Sequence, residues 1–473
     1  MSLSASHPSV VSTQGRLDAT IDGRVIVPGD ADYDQARAVY GGFDGRPAAI
    51  VRPAHATDVS QAVSLARDQG LALAVRSGGH SLAGHSTIDG GVVLDLRDLR
   101  RLEIDAAQRT AWAQTGLTAG AYTTAVGAHG LATSFGDTAS VGIGGLTLGG
   151  GIGYLVRKHG LTIDDLLAAE LVTADGQLLR VDAETHPELF WAIRGGGGNF
   201  GVATRFRFRL HEVPSILGGM LLLPATPEVV AAVVAEAEAA PEELSVIANI
   251  MRAPPMPPVP EPAHGKLVVM AQVCWAGDLD AGERVMTRFR GLAPPILDLV
   301  QPMPYAGIYQ LTDGRPEPDH EALRSRFLDA VDLPTAEAIV EHLQAATAPV
   351  AVAQLRVLGG AMARVPADAT AFAHRRRRIL AAVAAVWERP EETPVHQAWV
   401  DGLVAALAQG DPGAYVNFVG DEGQVRVREA YPGSTWERLV AVKRRYDPDN
   451  LFRRNQNIPP APHAPGGRRS ERD

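Results

Sequence analysis

Apolar residues recur along the first part of the chain with two different periods. Ala49 to Val51 is a short apolar run, and from Val59 to Ala66 the apolar residues recur at helical spacing. This spacing predicts a helix that Thr57 caps and Gly70 ends. The next apolar run, Leu71 to Val75, has the length of a strand. The pattern therefore predicts a β-α-β unit whose second strand leads into a glycine-rich stretch.

Strands and helices are also predicted along the rest of the chain. We expect strands at Gly91 to Leu96, Thr110 to Gln114, Val202 to Leu210, Lys266 to Cys274 and Val350 to Leu358, and helices at Thr118 to His129, Pro227 to Ala240 and Trp436 to Tyr446. The predicted fold class is α+β, and the segment after about Pro214 is expected to form one sheet with helices.

Composition narrows the class of protein. The chain has 473 residues, 46% apolar and 21% charged, which predicts a well-packed globular protein of two domains. A formal net charge of −10 argues against a nucleic-acid partner, because phosphate binding needs concentrated positive charge. The lone cysteine, Cys274, cannot form an internal disulfide. The polar N-terminus has no signal-peptide pattern, and no apolar run reaches membrane-spanning length, so we expect a cytoplasmic protein.

The stretch Arg76 to Ser81, which reads RSGGHS, is the first candidate for chemistry. A glycine-rich turn after a strand presents backbone N–H groups that suit a phosphate or pyrophosphate. His80 would then face whatever the phosphates hold in place. Taken alone, however, the stretch favours a tight turn beside a solvated histidine.

Two further glycine-rich stretches follow. Residues 141–153 interleave glycine with Val, Ile and Leu, which argues against a flexible linker and for backbone that closely approaches a bulky ligand. Residues 196–201 match GxGxxG, but they follow the helical segment 188–193 and precede the strand that begins at Val202. This order is the reverse of a dinucleotide fingerprint, so we exclude a Rossmann-type NAD site.

Together these motifs resemble the berberine bridge enzyme-like flavoprotein oxidases, within the vanillyl-alcohol-oxidase-type (PCMH-type) FAD-binding fold. The resemblance extends from about Ala49 to Pro460. The motifs occur in the family's order: RSGGHS at 76–81, VGIGGLTLGGGIGYL at 141–155, GLTIDDL at 160–166, ELFWAIRGGGGNFGV at 188–202, AFAHR at 371–375, YVNF at 415–418 and YDPDNLFRRNQNIPP at 446–460. In length and layout the chain is similar to the monocovalent bacterial members, the 6-hydroxy-D-nicotine oxidases.

The resemblance implies the domain organisation. Residues 45–210 would form a two-subdomain FAD-binding domain, and residues 211–412 a substrate domain with an antiparallel sheet covered by helices. Residues 413–460 would return to the FAD domain. We expect an irregular lead-in at residues 1–44 and a disordered tail at 461–473.

The cofactor that the resemblance implies is FAD, bonded covalently through its 8α-methyl group to His80. The residues placed around it are Arg76, Ser77, Gly78, Gly79, Ser81, Thr138, Val141, Gly142, Gly145, Gly149, Gly150, Gly151, Gly153, Tyr154, Asn199, Gly201, Val202, Gln456 and Asn457. Relatives with two covalent bonds carry a cysteine where this chain has Thr138, and threonine cannot form a thioether. We therefore expect a single covalent bond, which favours a smaller or more enclosed substrate.

Tyr415, in the family's Y-x-N motif with Asn417, is the candidate for substrate activation. The family places this tyrosine over the flavin face, where it accepts a proton from a substrate hydroxyl or amine. Its ordinary pKa is about 10, so it needs help from its surroundings at neutral pH. Arg356 and Gln354 lie where relatives carry substrate-facing side chains. Two alternatives stay open: a surface salt bridge for Arg356, and a buried ring with a satisfied hydroxyl for Tyr415.

Two other features receive structural interpretations. The basic run Arg375 to Arg378 is expected to be the solvated end of an apolar strand rather than a nucleic-acid site. His80 and His85 do not have metal-ligand spacing, so no metal site is predicted.

The predicted function is an oxidase of small molecules. A hydride from an alcohol, an amine or a secondary-metabolite intermediate passes to the flavin, and O₂ is reduced to H₂O₂. One rival is a dehydrogenase on the same fold that passes its electrons to another acceptor. The other is a flavin-bound protein without net redox turnover, which uses its cleft as a cyclase or a binding scaffold.

Overall fold

Three larger β-sheets and one two-stranded sheet organise the described residues, and with the helices they confirm the predicted α+β class. The computed structural model describes residues 20–255, 257–312, 320–410 and 412–461. The tail predicted to be disordered lies, after residue 461, outside the described residues. The domain boundaries stay predictions.

The first sheet contains the predicted β-α-β unit. Its strands are β1 (Arg24–Ile26), β2 (Ala49–Arg52), β3 (Leu73–Arg76) and β4 (Val92–Asp95), in the order β1-β2-β4-β3, and its helices are α1 (Tyr33–Arg37) and α2 (Ala56–Asp68). β2 and β3 both run parallel to β4, which lies between them. α2 buries the predicted apolar face from Val59 to Ala66. Thr57 is not its cap, because the helix begins one residue earlier, after His55.

The segment from residue 20 to residue 44 is more regular than the predicted lead-in. β1 pairs antiparallel with β2, and the Asp58 carboxylate on α2 accepts hydrogen bonds from the backbone N–H groups of Asp22 and Gly23. A three-residue strand and a five-residue helix are too short to show a hydrophobic period, so the pattern missed them.

The second sheet is antiparallel. Its strands are β5 (Leu102–Asp105), β6 (Thr110–Gln114), β8 (Leu166–Val172), β9 (Leu178–Asp182) and β10 (Val202–Arg209), in the order β5-β6-β10-β8-β9, while β7 (Leu131–Ala132) pairs with β11 (His211–Glu212). The helices of this region are α3 (Ala119–Gly127), α4 (Ile143–Leu148), α5 (Val156–His159) and α6 (Pro187–Ile193). Phe206 and Phe208 of β10 are fully buried, as alternation along a strand requires.

The third sheet is the large antiparallel sheet that was predicted after about Pro214. Its strands are β12 (Ile216–Pro224), β13 (Leu244–Arg252), β14 (Leu267–Trp275), β15 (Leu297–Asp298), β16 (Gln301–Met303), β17 (His320–Leu328), β18 (Val350–Val357) and β19 (Ile379–Trp387). They lie in the order β15-β12-β14-β13-β18-β19-β17, and β16 pairs with β12. The remaining helices are α7 (Pro227–Ala239), α8 (Leu279–Arg290), α9 (Leu333–Ala345), α10 (Ala361–Arg364), α11 (Thr393–Ala406), α12 (Gly423–Ala430) and α13 (Ser434–Tyr446).

The two faces of the third sheet differ in polarity. α7, α8, α9 and α11 cover one face with an apolar core. The opposite face carries polar side chains that are nevertheless buried, among them Asn249, Gln272, Ser325 and Arg356. Burying polar groups costs free energy unless they are hydrogen-bonded, so this face marks the place to search for a site.

The structure corrects the prediction for Arg375. The residues from Ala371 to Arg375 form a loop, and β19 begins only at Ile379. The Arg375 side chain is fully buried, with Nη1 2.7 Å from the Asp164 carboxylate. Burial of a guanidinium with a paired carboxylate explains why this arginine is not solvated. Arg376 and Arg378 are exposed, as expected.

Within the described ranges, no helix has both the length and the apolar character that are needed to cross a bilayer.

Candidate active site

The structure brings together the two glycine-rich stretches that the sequence singled out. A Cβ atom on Gly78 would lie 2.2 Å from the backbone nitrogen of Gly142, and a Cβ on Gly142 equally close to that of Gly78. Ser77 Oγ accepts a hydrogen bond from the Gly144 N–H at 3.2 Å. Only glycine allows the two loops to approach this closely, and Gly145 faces open space beside them.

Two side chains of the first loop are engaged within the protein. Arg76 is buried, and its Nη2 lies 2.8 Å from the Asp95 carboxylate and 2.6 Å from the Ala36 carbonyl oxygen. Ser81 Oγ accepts a hydrogen bond from the His85 N–H at 3.1 Å. These contacts shape the loop. In the second stretch, the Thr138 carbonyl accepts a hydrogen bond from the Val141 N–H at 3.3 Å and closes a turn.

His80 lies against an aromatic ring that the sequence analysis did not single out. Its imidazole stacks on Tyr40, with ring centroids 4.8 Å apart and planes inclined by 22°. Tyr40 hydrogen-bonds the Glu321 carboxyl on β17, which offsets part of the rise in the pKa of Glu321 that burial causes. The contact joins the segment before β2 to the third sheet beside His80.

The Tyr415 hydroxyl sits in a cluster of N–H donors. Its oxygen accepts hydrogen bonds from the Gly151 backbone N–H at 3.0 Å and from Asn417 Nδ2 at 2.9 Å. Asn417 Nδ2 also donates to the Leu146 carbonyl oxygen, which fixes the amide with its donors toward the hydroxyl. A Cβ on Gly149 would lie 1.9 Å from Asn417 Oδ1, so glycine is needed there. In the part of the chain that the structure describes, no protein group accepts the Tyr415 hydroxyl proton.

The environment of Tyr415 acts on its pKa in opposite directions. Burial raises the pKa of Tyr415, while the hydrogen bonds from Asn417 and Gly151 and the charge of Arg356 lower it. The Tyr415 ring is therefore buried, as one of the alternatives expected, but its hydroxyl is satisfied only as a hydrogen-bond acceptor. Donors aimed at the oxygen stabilise the phenolate once the proton leaves.

Arg356 forms a buried ion pair rather than a surface salt bridge. Only 4% of the residue is exposed, and Nη2 lies 2.9 Å from Asp137 Oδ2. The same nitrogen donates to Gln354 Oε1 at 2.6 Å, and the guanidinium lies over the Phe418 ring, 5.1 Å from its centroid. The sequence missed Asp137, because a single aspartate outside the matched motifs carries no pattern.

The polar chain continues across the third sheet. Gln354 Nε2 donates to Asn249 Oδ1 at 2.7 Å, and Asn249 Nδ2 donates to the Met270 carbonyl oxygen at 3.3 Å. Nearby, the Tyr154 hydroxyl donates to Gln272 Oε1 at 3.3 Å. Burial raises the pKa of Tyr154 well above its ordinary value, so this hydroxyl stays protonated.

The GxGxxG stretch meets the C-terminal segment of the chain. Asn199 is fully buried; its Nδ2 donates to the Gln456 carbonyl oxygen at 3.1 Å, and its Oδ1 accepts from the Ile458 N–H at 2.9 Å. Gly201 has φ +156°, and a Cβ there would lie 2.6 Å from the Val172 carbonyl oxygen, next to the start of β10 at Val202. The predicted cofactor residues of this stretch therefore hold backbone segments together.

The arrangement fits a large polar cofactor such as FAD. A Cβ on Gly145 would meet nothing within 4 Å, and three buried polar atoms have no protein partner among the described residues: Asn457 Oδ1, Arg356 Nε and Arg356 Nη1. Gly150 and Gly151 adopt φ values of +132° and +79°, which turn the backbone N–H of Gly151 toward Tyr415.

Two family models match the chain. The one described as "FAD binding domain" matches residues 47–182, and the one described as "Berberine and berberine like" matches residues 414–459. They cover the two glycine loops and the Tyr415 segment respectively.

Curated relatives match over nearly the whole chain. The (R)-6-hydroxynicotine oxidase of Paenarthrobacter nicotinovorans is 32% identical, over 93% of this chain and 97% of the relative. Berberine bridge enzyme-like 6 of Arabidopsis thaliana is 28% identical, over 87% of this chain and 81% of the relative.

Solved structures share the fold. The 6-hydroxy-D-nicotine oxidase from Arthrobacter nicotinovorans superposes with a TM-score of 0.83 at 31% identity, covering 93% of this chain and 98% of that one. Physcomitrella patens BBE-like 1 gives a TM-score of 0.83 at 23% identity, covering 97% and 100%, which supports the fold alone.

Proposed function

Because the chain belongs to the berberine bridge enzyme-like family of FAD-linked oxidoreductases, we propose that it is an oxidase holding FAD through one covalent bond to His80. Its substrate is a small molecule with a C–H bond next to a hydroxyl or an amine, and its electron acceptor is O₂. The observation that carries the proposal is the Tyr415 oxygen, buried beside the second glycine loop and accepting two N–H hydrogen bonds.

The proposed chemistry divides between cofactor and protein. Bound FAD would supply the hydride acceptor, and O₂ would take up both electrons with two protons to give H₂O₂. Tyr415 accepts the proton that the substrate's O–H or N–H loses as the C–H bond breaks. The N–H donors of Gly151 and Asn417 hold the phenolate oxygen that results. The Arg356 guanidinium, paired with Asp137, lowers the pKa of Tyr415.

The covalent bond is proposed for His80 alone. Tyr40 supports the imidazole by stacking, so the ring has a fixed orientation before the bond forms. Thr138 has no thiol with which to form a second bond.

The substrate class follows from the chemistry of the cleft and from the relatives. The printed name of one relative, (R)-6-hydroxynicotine oxidase, supports a hydroxylated heterocyclic amine as one candidate. Small alcohols are the other class with a removable proton beside a C–H bond. The cytoplasmic location stays a prediction.

Anaerobic mixing with a panel of small alcohols and cyclic amines tests the proposal. We expect one class to bleach the yellow flavin, with the Tyr415→Phe variant reduced about 10²- to 10⁴-fold more slowly, as for loss of a general base. Tyr446→Phe, half-buried on α13, is the matched control and should keep the wild-type rate.

The same experiment separates the rivals. Rapid reoxidation of the reduced protein in air supports the oxidase, whereas slow reoxidation in air with fast reaction toward an artificial acceptor indicates a dehydrogenase. Failure of the whole panel to bleach the flavin indicates a protein without redox turnover.

A further inference from the structure

We infer that the cleft selects uncharged substrates that present a hydrogen-bond acceptor to Arg356, because Asp137 already neutralises this arginine. The inference rests on the proposed function and names the class of substrate that the site takes. It rests on the direction of each hydrogen bond around Arg356 and on the N–H groups of this side chain that have no protein partner among the described residues.

The hydrogen bonds around Arg356 have only one orientation. Asn249 donates from Nδ2 to the Met270 carbonyl, so its Oδ1 faces Gln354 and accepts from Gln354 Nε2. Gln354 Oε1 must then face Arg356, where it accepts from Nη2. Asp137 accepts from the same nitrogen. Both hydrogens of Arg356 Nη2 are therefore used, one by Asp137 and one by Gln354, and these bonds fix the guanidinium in place.

Two nitrogens of Arg356 remain. Nε and Nη1 are buried and have no protein partner among the described residues. A guanidinium carries five N–H donors and has no acceptor, so three donors stay available. Unpaired buried donors are costly, which indicates that a bound molecule supplies the acceptor.

The charge balance decides which acceptor fits. Asp137 lies 2.9 Å from the guanidinium, with 14% of its side chain exposed. A carboxylate substrate would add a second buried negative charge to one arginine, and would also disfavour the phenolate form of Tyr415. A carbonyl, ether or hydroxyl oxygen, or a ring nitrogen, satisfies the free donors without this cost.

On the same sheet face, a buried apolar cluster lies beside the polar chain. Met270 lies opposite Asn249 in register, and Met220 lies opposite Gln272. The free donors and the charge balance therefore define the substrate class as an uncharged molecule with one acceptor for Arg356.

Three ring probes of matched size test the charge selection: benzamide (neutral), benzoate (negative) and benzylamine (positive). Each is titrated into the purified flavin-containing protein, and binding is followed through the visible absorption of the flavin. We expect benzamide to bind most tightly. Arg356→Met should weaken benzamide binding by at least about tenfold, and Arg356→Lys, which keeps a cationic donor, should lose less.

The Asp137→Asn variant tests the charge balance at Arg356 more directly. It removes the charge that neutralises Arg356 and keeps the size of the side chain, so benzoate should bind at least about tenfold more tightly than to the wild type. Arg364→Met, which removes an exposed arginine paired with Glu242, should change neither affinity.

Several outcomes would overturn the inference. They are wild-type benzamide affinity in Arg356→Met, tighter binding of benzoate than of benzamide to the wild type, unchanged benzoate affinity in Asp137→Asn, and no spectral response to any of the probes. A preparation without bound flavin would instead contradict the proposed function. The two failures are therefore distinguishable.

Discussion

Tyr415, whose oxygen accepts two hydrogen bonds inside the protein, is the proposed base, so its protonation should control the pH dependence of the reaction. Burial raises the pKa of Tyr415, and the base form predominates only above this pKa. The rate of anaerobic flavin reduction should therefore rise with pH through this pKa. Asn417→Leu removes a donor that lowers the pKa, so the rise should move to higher pH. Stopped-flow reduction across the pH range measures it.

Tyr415→Phe is the control for this pH profile, since it removes the titrating group and should abolish the rise. A profile of Asn417→Leu that superposes on the wild type would contradict the role given to the donor.

The ring stacked on His80 leads to a second prediction at this scale. Tyr40→Ala removes the stacking partner and should lower the fraction of chains that carry covalent flavin several-fold, because the imidazole loses its fixed orientation. Tyr40→Phe keeps the ring and loses only the contact with Glu321, so it should retain most of the attachment. Mass spectrometry of the intact denatured chain measures the fraction. Equal attachment in Tyr40→Ala and the wild type would refute this role.

Candidate site residues could be named from the sequence only where a motif carried them. His80 and Tyr415 stand in local motifs, and the structure places both beside the glycine loops or the third sheet. Asp137 and Tyr40 were missed, because their partners Arg356 and Glu321 lie far away in the sequence and no local spacing links them.

At the scale of elements, helix α13 anchors the C-terminal segment through one buried cation. Lys443 Nζ donates to the Asn199 carbonyl at 2.8 Å, to Asp447 Oδ2 at 2.6 Å and to the Phe452 carbonyl at 2.9 Å. Burial lowers the pKa of Lys443, and Asp447 raises it. The cation thus joins α13, the GxGxxG stretch and the chain that leads to Gln456.

Lys443→Met should lower the free energy of unfolding by roughly 3–5 kcal/mol, since it leaves the Asp447 carboxylate buried without its partner. Urea unfolding followed by circular dichroism measures it. Arg444→Met, on the exposed side of the same helix, should change stability by less than about 0.5 kcal/mol. Equal midpoints for the two variants would show that the cation does not hold the segment.

Elements with a clear period were predicted well, as α2, α7 and β18 show. Elements without one were not. The segment from residue 20 to residue 44 contains β1 and α1, which are too short to show a hydrophobic period. The loop before β19 reads as apolar because it packs inside the protein. In both places tertiary contacts decide the local structure.

At the scale of the whole molecule, the region of the second glycine loop is joined to the third sheet by Arg157 on α5. Its Nη1 donates to the carbonyl oxygens of Ala237 at 2.6 Å and Leu244 at 2.9 Å, and its Nη2 to that of Ala240 at 2.9 Å. These carbonyls lie at and beyond the end of α7, where a helix has unpaired acceptors and negative dipole charge.

Arg157→Met should lower the free energy of unfolding by roughly 3 kcal/mol, because several charge-assisted hydrogen bonds are lost and the carbonyls stay buried. Chemical unfolding measures this loss. Flavin fluorescence follows the cofactor site, and circular dichroism follows the fold. Arg378→Met removes an exposed ion pair with Glu238 on the same helix and should have little effect. A loss no larger than that of Arg378→Met would contradict this link.

The overall architecture could be predicted because many motifs stood in one order along the chain. The packing of strands and loops against each other could not be predicted, because it depends on pairs such as Asn249 with Gln354, which lie 105 residues apart. The polar face of the third sheet became visible only when the register of its strands was known.

The central claim is that FAD is bonded to His80, and denaturing electrophoresis viewed under ultraviolet light tests it most directly. Covalent flavin survives denaturation, so the wild-type band should fluoresce. The His80→Ala band should be dark, and the band of His85→Ala, which changes a neighbouring histidine, should still fluoresce. A wild-type band without flavin fluorescence, or a fluorescent band in His80→Ala, would contradict the claim.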